Sequence, residues 1–137
     1  MAKRRILVVE DEEKVRVALA AFLEPEYDVV QAQDGREAVA LAQQTMPNLI
    51  LLDLRLPRLD GLDALRLLKM SPETVTIPVV VISAIGESDS LMNAEMLGAS
   101  DYLIKPVNLQ EVRDAVQRYL IRWKEDRLPP PEPPLRI

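Results

Sequence analysis

Five short runs of branched apolar residues, each followed by a longer stretch of helical period, dominate this chain. Ile6-Leu7-Val8-Val9 reads as a buried strand that stops abruptly at Glu10 and Asp11. Tyr27 to Ala32, Asn48 to Leu52, Val79 to Ile82 and Tyr102 to Ile104 read the same way. Between them, Val15, Ala18, Leu19 and Phe22 recur at three- and four-residue steps from Glu12 to Glu24, the mark of one helix face. Ala38, Leu41 and Ala42 do so from Gly35 to Thr45, and Leu62, Leu65 and Leu68 mark a third helix. A fourth, around Ser88 to Leu97, has the weakest stripe, with Leu91, Met92 and Met96, and Gly98 fits its stop. The last starts at Asn108, an N-cap residue type, and carries Leu109, Val112, Val116, Tyr119, Leu120 and Trp123 as far as Asp126. Apolar strands alternating with helices predict an α/β fold, a doubly wound, mostly parallel five-stranded sheet covered on both faces.

A length of 137 residues suits one such domain, expected over residues 4–126. Residues 127–137 differ in kind: five prolines, from Pro129 to Pro134, predict a polyproline-like tail or a linker. No apolar run reaches the roughly 20 residues needed to cross a bilayer. The opening Met-Ala-Lys-Arg-Arg leads into a short strand without the features of a secretory leader, so a cytoplasmic location is the expectation.

Two absences narrow the chemistry. Without cysteine there is no thiol nucleophile, disulfide framework or Cys-built zinc site. Without histidine there is no His-based triad and no phosphohistidine carrier role. Carboxylates, Lys, Arg, hydroxyls and backbone must do any work. A net charge of −5 with no dense basic stripe argues against direct nucleic-acid binding by this segment.

The polar candidates collect at strand ends: Glu10-Asp11, Asp53, Ser83 and Lys105. In open α/β sheets, ligand sites lie beyond the carboxyl ends of the strands at the topological switch point. In the flavodoxin-like strand order 2-1-3-4-5, the first and third strands are neighbours there. Glu10, Asp11 and Asp53 then meet, with Ser83 and Lys105 at the flank. Three carboxylates in one cavity repel unless a cation sits among them, and an oxygen-rich set of this kind suits magnesium.

With these pieces in place, the chain resembles the receiver domain of bacterial two-component response regulators, of the chemotaxis-regulator type, over roughly residues 4–125. The matching segments are ILVVEDE at 6–12, LILLDLRLPRLDG at 49–61, VVVISA at 79–84 and GASDYLIKP at 98–106. Ser83 and Lys105 follow Asp53 by 30 and 52 residues, as in the family. The resemblance implies that Asp53 is the phosphoacceptor of a phosphorelay. It implies that Glu10, Asp11, Asp53 and the backbone carbonyl of Arg55 hold Mg2+. Lys105 and Ser83, helped by the Ala84 N–H, would bind phosphoryl oxygens, and Tyr102 matches the aromatic switch position. Lys105-Pro106 resembles the family's cis peptide, which aims the lysine into the site. The implied partners are a sensor histidine kinase or phosphotransfer protein and an output domain or partner protein, with homodimerisation through the fourth helix, fifth strand and fifth helix. A stand-alone receiver, part of a transcription factor and a piece of a hybrid kinase are all compatible with the sequence.

Each residue also has a plainer reading. Asp11 could cap the first helix, Asp53 could be a solvated loop acid, Ser83 a small turn residue, Tyr102 an edge aromatic and Lys105 a surface lysine. Taken jointly, these need five accidents at one end of one sheet. The acidic pair is Glu10-Asp11 where many members carry two aspartates. Arg55 and Ile85, two residues beyond Asp53 and Ser83, are poorly suited to orient water, which predicts slow intrinsic dephosphorylation. A phosphohydrolase of the haloacid dehalogenase type is a second reading, but it wants an acid where Arg55 stands. A degenerate receiver or flavodoxin-like scaffold is a third.

Overall fold

The computed structural model describes residues 3–126, with the backbone alone for 121–126; Trp123 and the proline-rich stretch of 127–137 fall outside the described side chains and residues. The order is β1 (Arg5–Val9), α1 (Glu13–Leu23), β2 (Asp28–Ala32), α2 (Gly35–Thr45), β3 (Leu49–Asp53), α3 (Gly61–Met70), β4 (Val79–Ser83), α4 (Ser88–Leu97), β5 (Asp101–Ile104) and α5 (Leu109–Asp126). All strand pairs are parallel and the sheet order is β2-β1-β3-β4-β5. The expected doubly wound sheet is therefore the observed one.

Alternation along the strands divides the core. Ile6, Val8, Leu49, Leu51, Val80 and Ile82 point to α1 and α5, against Leu19, Leu23, Val112 and Val116. Their neighbours Leu7, Val9, Ile50, Leu52, Val79 and Val81 point the other way, toward α2, α3 and α4. Strands buried on both faces explain why their sequences run apolar without a break.

The helices follow their stripes with informative exceptions. α2 and α3 bury the expected Ala38, Ala42, Leu65 and Leu68. On α1, however, the buried residues are Leu19, Ala20 and Leu23, whereas Val15 and Ala18 lie exposed. The reason is position: the first half of α1 overhangs the rim of the sheet, beside Pro106, Val107 and Leu109. Leu109, expected on the inner face of α5, is likewise exposed. α4 buries only Ala94, and Met92 and Met96 point to solvent.

Caps and clamps fix the ends. Asn108 caps α5 by accepting the Glu111 N–H at 2.8 Å. Asp34 caps α2, accepting the Glu37 N–H at 2.8 Å, and its other oxygen pairs with Arg58 at 2.6 Å. α4 has no side-chain cap at Glu87 but ends at Gly98, in the left-handed region at φ 106. There Ala99 N–H bonds to Ala94 and Ser100 N–H to Val79. The Lys69 stem runs beside Gly98, and its ammonium donates to the carbonyls of Val75 and Ile77 at 3.0 and 2.8 Å.

Candidate functional site

β1 and β3 are neighbours, and chain leaves them toward opposite sides of the sheet, so a crevice opens at their carboxyl ends. Asp53, the last residue of β3, and Glu10, the first after β1, are almost wholly buried there, while Asp11 is exposed at the mouth. One oxygen from each of Glu10, Asp11 and Asp53 falls within 4.8 Å of the others. Asp11 does not cap α1; the N-cap residue is Glu12, and no side chain serves that role.

Lys105 enters from β5, across the end of β4. Its ammonium lies 2.6 Å from Asp53 Oδ2 and 3.6 Å from Glu10 Oε1. The Lys105 backbone N–H bonds to the Ser83 carbonyl at 2.8 Å, which joins the ends of β5 and β4. The Lys105-Pro106 peptide is cis. Asp53 Oδ1 accepts the backbone N–H of Arg55 at 2.9 Å, so both acceptor oxygens are engaged.

Charge in this crevice is only partly balanced. Burial pushes the Glu10 carboxyl up to about 7 against the bond from the Glu12 N–H, and the nearby Asp53 charge adds to the rise. Burial alone would lower the Lys105 ammonium, but its bond and attraction to Asp53, with Glu10 behind, raise it overall. One lysine against three acids leaves room for a hard cation. Three close carboxylate oxygens, with space for water at the exposed Asp11 side, fit magnesium.

Ser83 closes β4 beside this group. It is buried, and its hydroxyl donates to Glu87 Oε2 at 3.3 Å. The other oxygen of Glu87 is paired with the Arg55 guanidinium. Sequence reasoning passed over Glu87, because nothing marks a carboxylate four residues after a serine as part of a site. Tyr102, on β5, is half-buried against the cluster shared by α3 and α4 rather than among the acids.

Two glycines set the floor. A Cβ on Gly61 would lie 2.4 Å from the Leu54 Cα and 2.5 Å from the Asp53 carbonyl oxygen; one on Gly35 would lie 1.9 Å from the Leu59 carbonyl oxygen. The loop after Asp53 thus lies hard against the starts of α2 and α3. Beside Lys105, a hollow of about 620 Å³ opens between α1 and the β5–α5 turn, lined mainly by apolar groups including Val15, Ala18, Val107 and Leu109. No helix among the described residues is long and apolar enough to cross a membrane.

Comparison with known proteins gives consistent results. The family model of the response regulator receiver domain matches residues 6–117. The sporulation initiation phosphotransferase F of Bacillus subtilis is 34% identical over 121 residues, which cover 88% of this chain and 96% of the relative. The transcriptional regulatory protein PdtaR of Mycobacterium tuberculosis is 36% identical over 124 residues, 89% of this chain but 59% of the relative. The chain thus spans nearly all of one relative and well under two thirds of the other. Among solved structures, the receiver domain of a sensor histidine kinase from Pseudomonas aeruginosa PAO1, which has a magnesium ion coordinated in its active site cleft, superposes with a TM-score of 0.79. It is 32% identical, and the match covers 86% of this chain and 98% of that one.

Proposed function

The chain belongs to the response regulator receiver domain family, and we propose that it acts as a switch whose phosphoacceptor is the carboxylate of Asp53. The observation that carries this assignment is the meeting of three carboxylates within 4.8 Å, with the Lys105 ammonium 2.6 Å from Asp53. Glu10, Asp11, Asp53 and the Arg55 carbonyl would hold magnesium, which supplies positive charge against the phosphoryl oxygens. A carboxylate oxygen of Asp53 attacks the donor phosphorus, the bond from phosphorus to the donor breaks, and an acyl phosphate results. Lys105 then transfers its ion pair from the carboxylate to a phosphoryl oxygen. Ser83 turns its hydroxyl to another, and the Ala84 N–H lies next in sequence to assist.

The donor is a phosphohistidine on a sensor kinase or phosphotransfer protein. The apolar rim beside Lys105, with Val15 and Leu109 exposed, gives such a partner a surface next to the acceptor. The readout runs through Tyr102 and the weakly anchored α4 to a partner protein or output domain, and the face of α4, β5 and α5 serves for homodimerisation. The only reactions the chain catalyses are its own phosphorylation and dephosphorylation. A phosphohydrolase of the haloacid dehalogenase type would need an acid at position 55; Arg55 is there, tied to Glu87. Incubation with magnesium and acetyl phosphate, followed by intact mass, tests the assignment. The wild type should gain one phosphoryl group and Asp53→Asn none; label on both would move the acceptor elsewhere.

A further inference from the structure

The phosphoacceptor reading gives Glu87 no task, yet its carboxylate is spread across two elements of the site. One oxygen pairs with the Arg55 guanidinium, from the loop after Asp53, and the other accepts the Ser83 hydroxyl at 3.3 Å, from the end of β4. The Glu87 side chain is only 13% exposed, so this is a held position rather than a surface encounter. A carboxylate bound by a hydroxyl and a guanidinium beside the acceptor engages the donors that a phosphoryl group on Asp53 would also seek.

We propose that Glu87 is an internal placeholder for the phosphoryl group: it occupies Ser83 and Arg55 while Asp53 is unmodified, and it is expelled when the acyl phosphate forms. Two effects act together. The phosphoryl oxygens compete for the Ser83 hydroxyl, and their negative charge repels the Glu87 carboxylate. Arg55, freed from Glu87, turns to the new anion beside its own backbone. Because Glu87 is the residue from which α4 starts, its expulsion moves the first turn of that helix, which has no side-chain cap to restrain it. The inference rests on Asp53 being the acceptor.

Beryllofluoride with magnesium, a non-covalent phosphoryl mimic, provides the test on the full chain. With the placeholder gone, Glu87→Ala should bind the mimic about tenfold more tightly than wild type, since the competing closed arrangement no longer reduces apparent affinity. Glu87→Gln, which keeps the shape but not the charge, should move in the same direction by less and is read in its place should the alanine variant not fold. In an Arg55→Ala background the gain from Glu87→Ala should shrink, because the freed guanidinium is part of that gain. Variants of Glu87 that bind the mimic no more tightly than wild type would overturn the placeholder. A wild type that binds no beryllofluoride and takes no label from acetyl phosphate would instead overturn Asp53 as acceptor.

Discussion

Lys105 and Asp53 stand at the ends of strands separated in the sheet by β4, and the lysine reaches across that strand to place its ammonium 2.6 Å from the aspartate. The ammonium therefore engages one oxygen of Asp53, the residue proposed above as phosphoacceptor. Lys105→Met should act in two opposite senses. Magnesium should bind more tightly, because Asp53 loses a competing counter-charge, while phosphorylation by acetyl phosphate should slow at least about tenfold for want of electrostatic stabilisation. Stability without metal should fall by about 1–2 kcal/mol, less than a fully buried pair would lose, since the Lys105 side chain is 37% exposed. Magnesium titration, labelling rates and urea unfolding would separate the three effects.

Glu10 sets a pH dependence. Its carboxyl sits at about 7 in the fold, above the ordinary 4.5, so the folded protein holds a proton that the unfolded chain has already released. Its contribution is most favourable below about pH 4.5 and is lost as pH rises through about 7, a change of roughly 3 kcal/mol. Urea unfolding of metal-free protein should show this decline, and Glu10→Gln should flatten it. Added magnesium should stabilise more at the alkaline end, where the ligand is ionised. A metal-free profile as steep in Glu10→Gln as in wild type would assign the effect elsewhere.

Gly35→Ala tests the floor of the site. Its methyl group would stand 1.9 Å from the Leu59 carbonyl oxygen, a backbone atom that cannot rotate away. The expected loss is about 3 kcal/mol, the upper end of overpacking effects. Leu59 lies in the loop after Asp53, so the folded fraction should also label more slowly. Thermal melts with labelling at low temperature would check both.

Dephosphorylation should be slow. Ile85 is 76% exposed and offers no polar group, and the Arg55 guanidinium is a poor base for positioning water. The acyl phosphate on Asp53 should last minutes or longer at room temperature, and Ile85→Glu should shorten its lifetime. Loss of label within seconds in the wild type would contradict this.

Most of the sheet and of the acidic crevice was legible because both follow from local pattern plus one topological rule. Strands buried on both faces must run apolar, and Glu10, Asp11, Asp53, Ser83 and Lys105 stand where such runs stop. The failures have one cause as well. Val15, Ala18, Leu109, Met92 and Met96 obey helical spacing but lie on helix portions that overhang the rim or barely touch the sheet, and periodicity says nothing of what a stripe faces. Glu87 was missed because a carboxylate four residues after a serine is no signal of a site, and its other partner, Arg55, stands 32 residues earlier in the chain.

The Lys69 clamp gives α4 a mechanical character. Its stem lies beside Gly98, its ammonium grips the carbonyls of Val75 and Ile77, and Ser100 is tied to Val79 immediately beyond. The Lys69 stem and the Ser100 bond lie at the far end of the helix, while at the near end Glu87 reaches Ser83 and Arg55 and Leu91 packs on the core. If Glu87 is displaced as proposed, the expected movement of α4 is larger at its start, beside Ser83, than at Gly98, where the helix end is bonded to Ala94 and Val79.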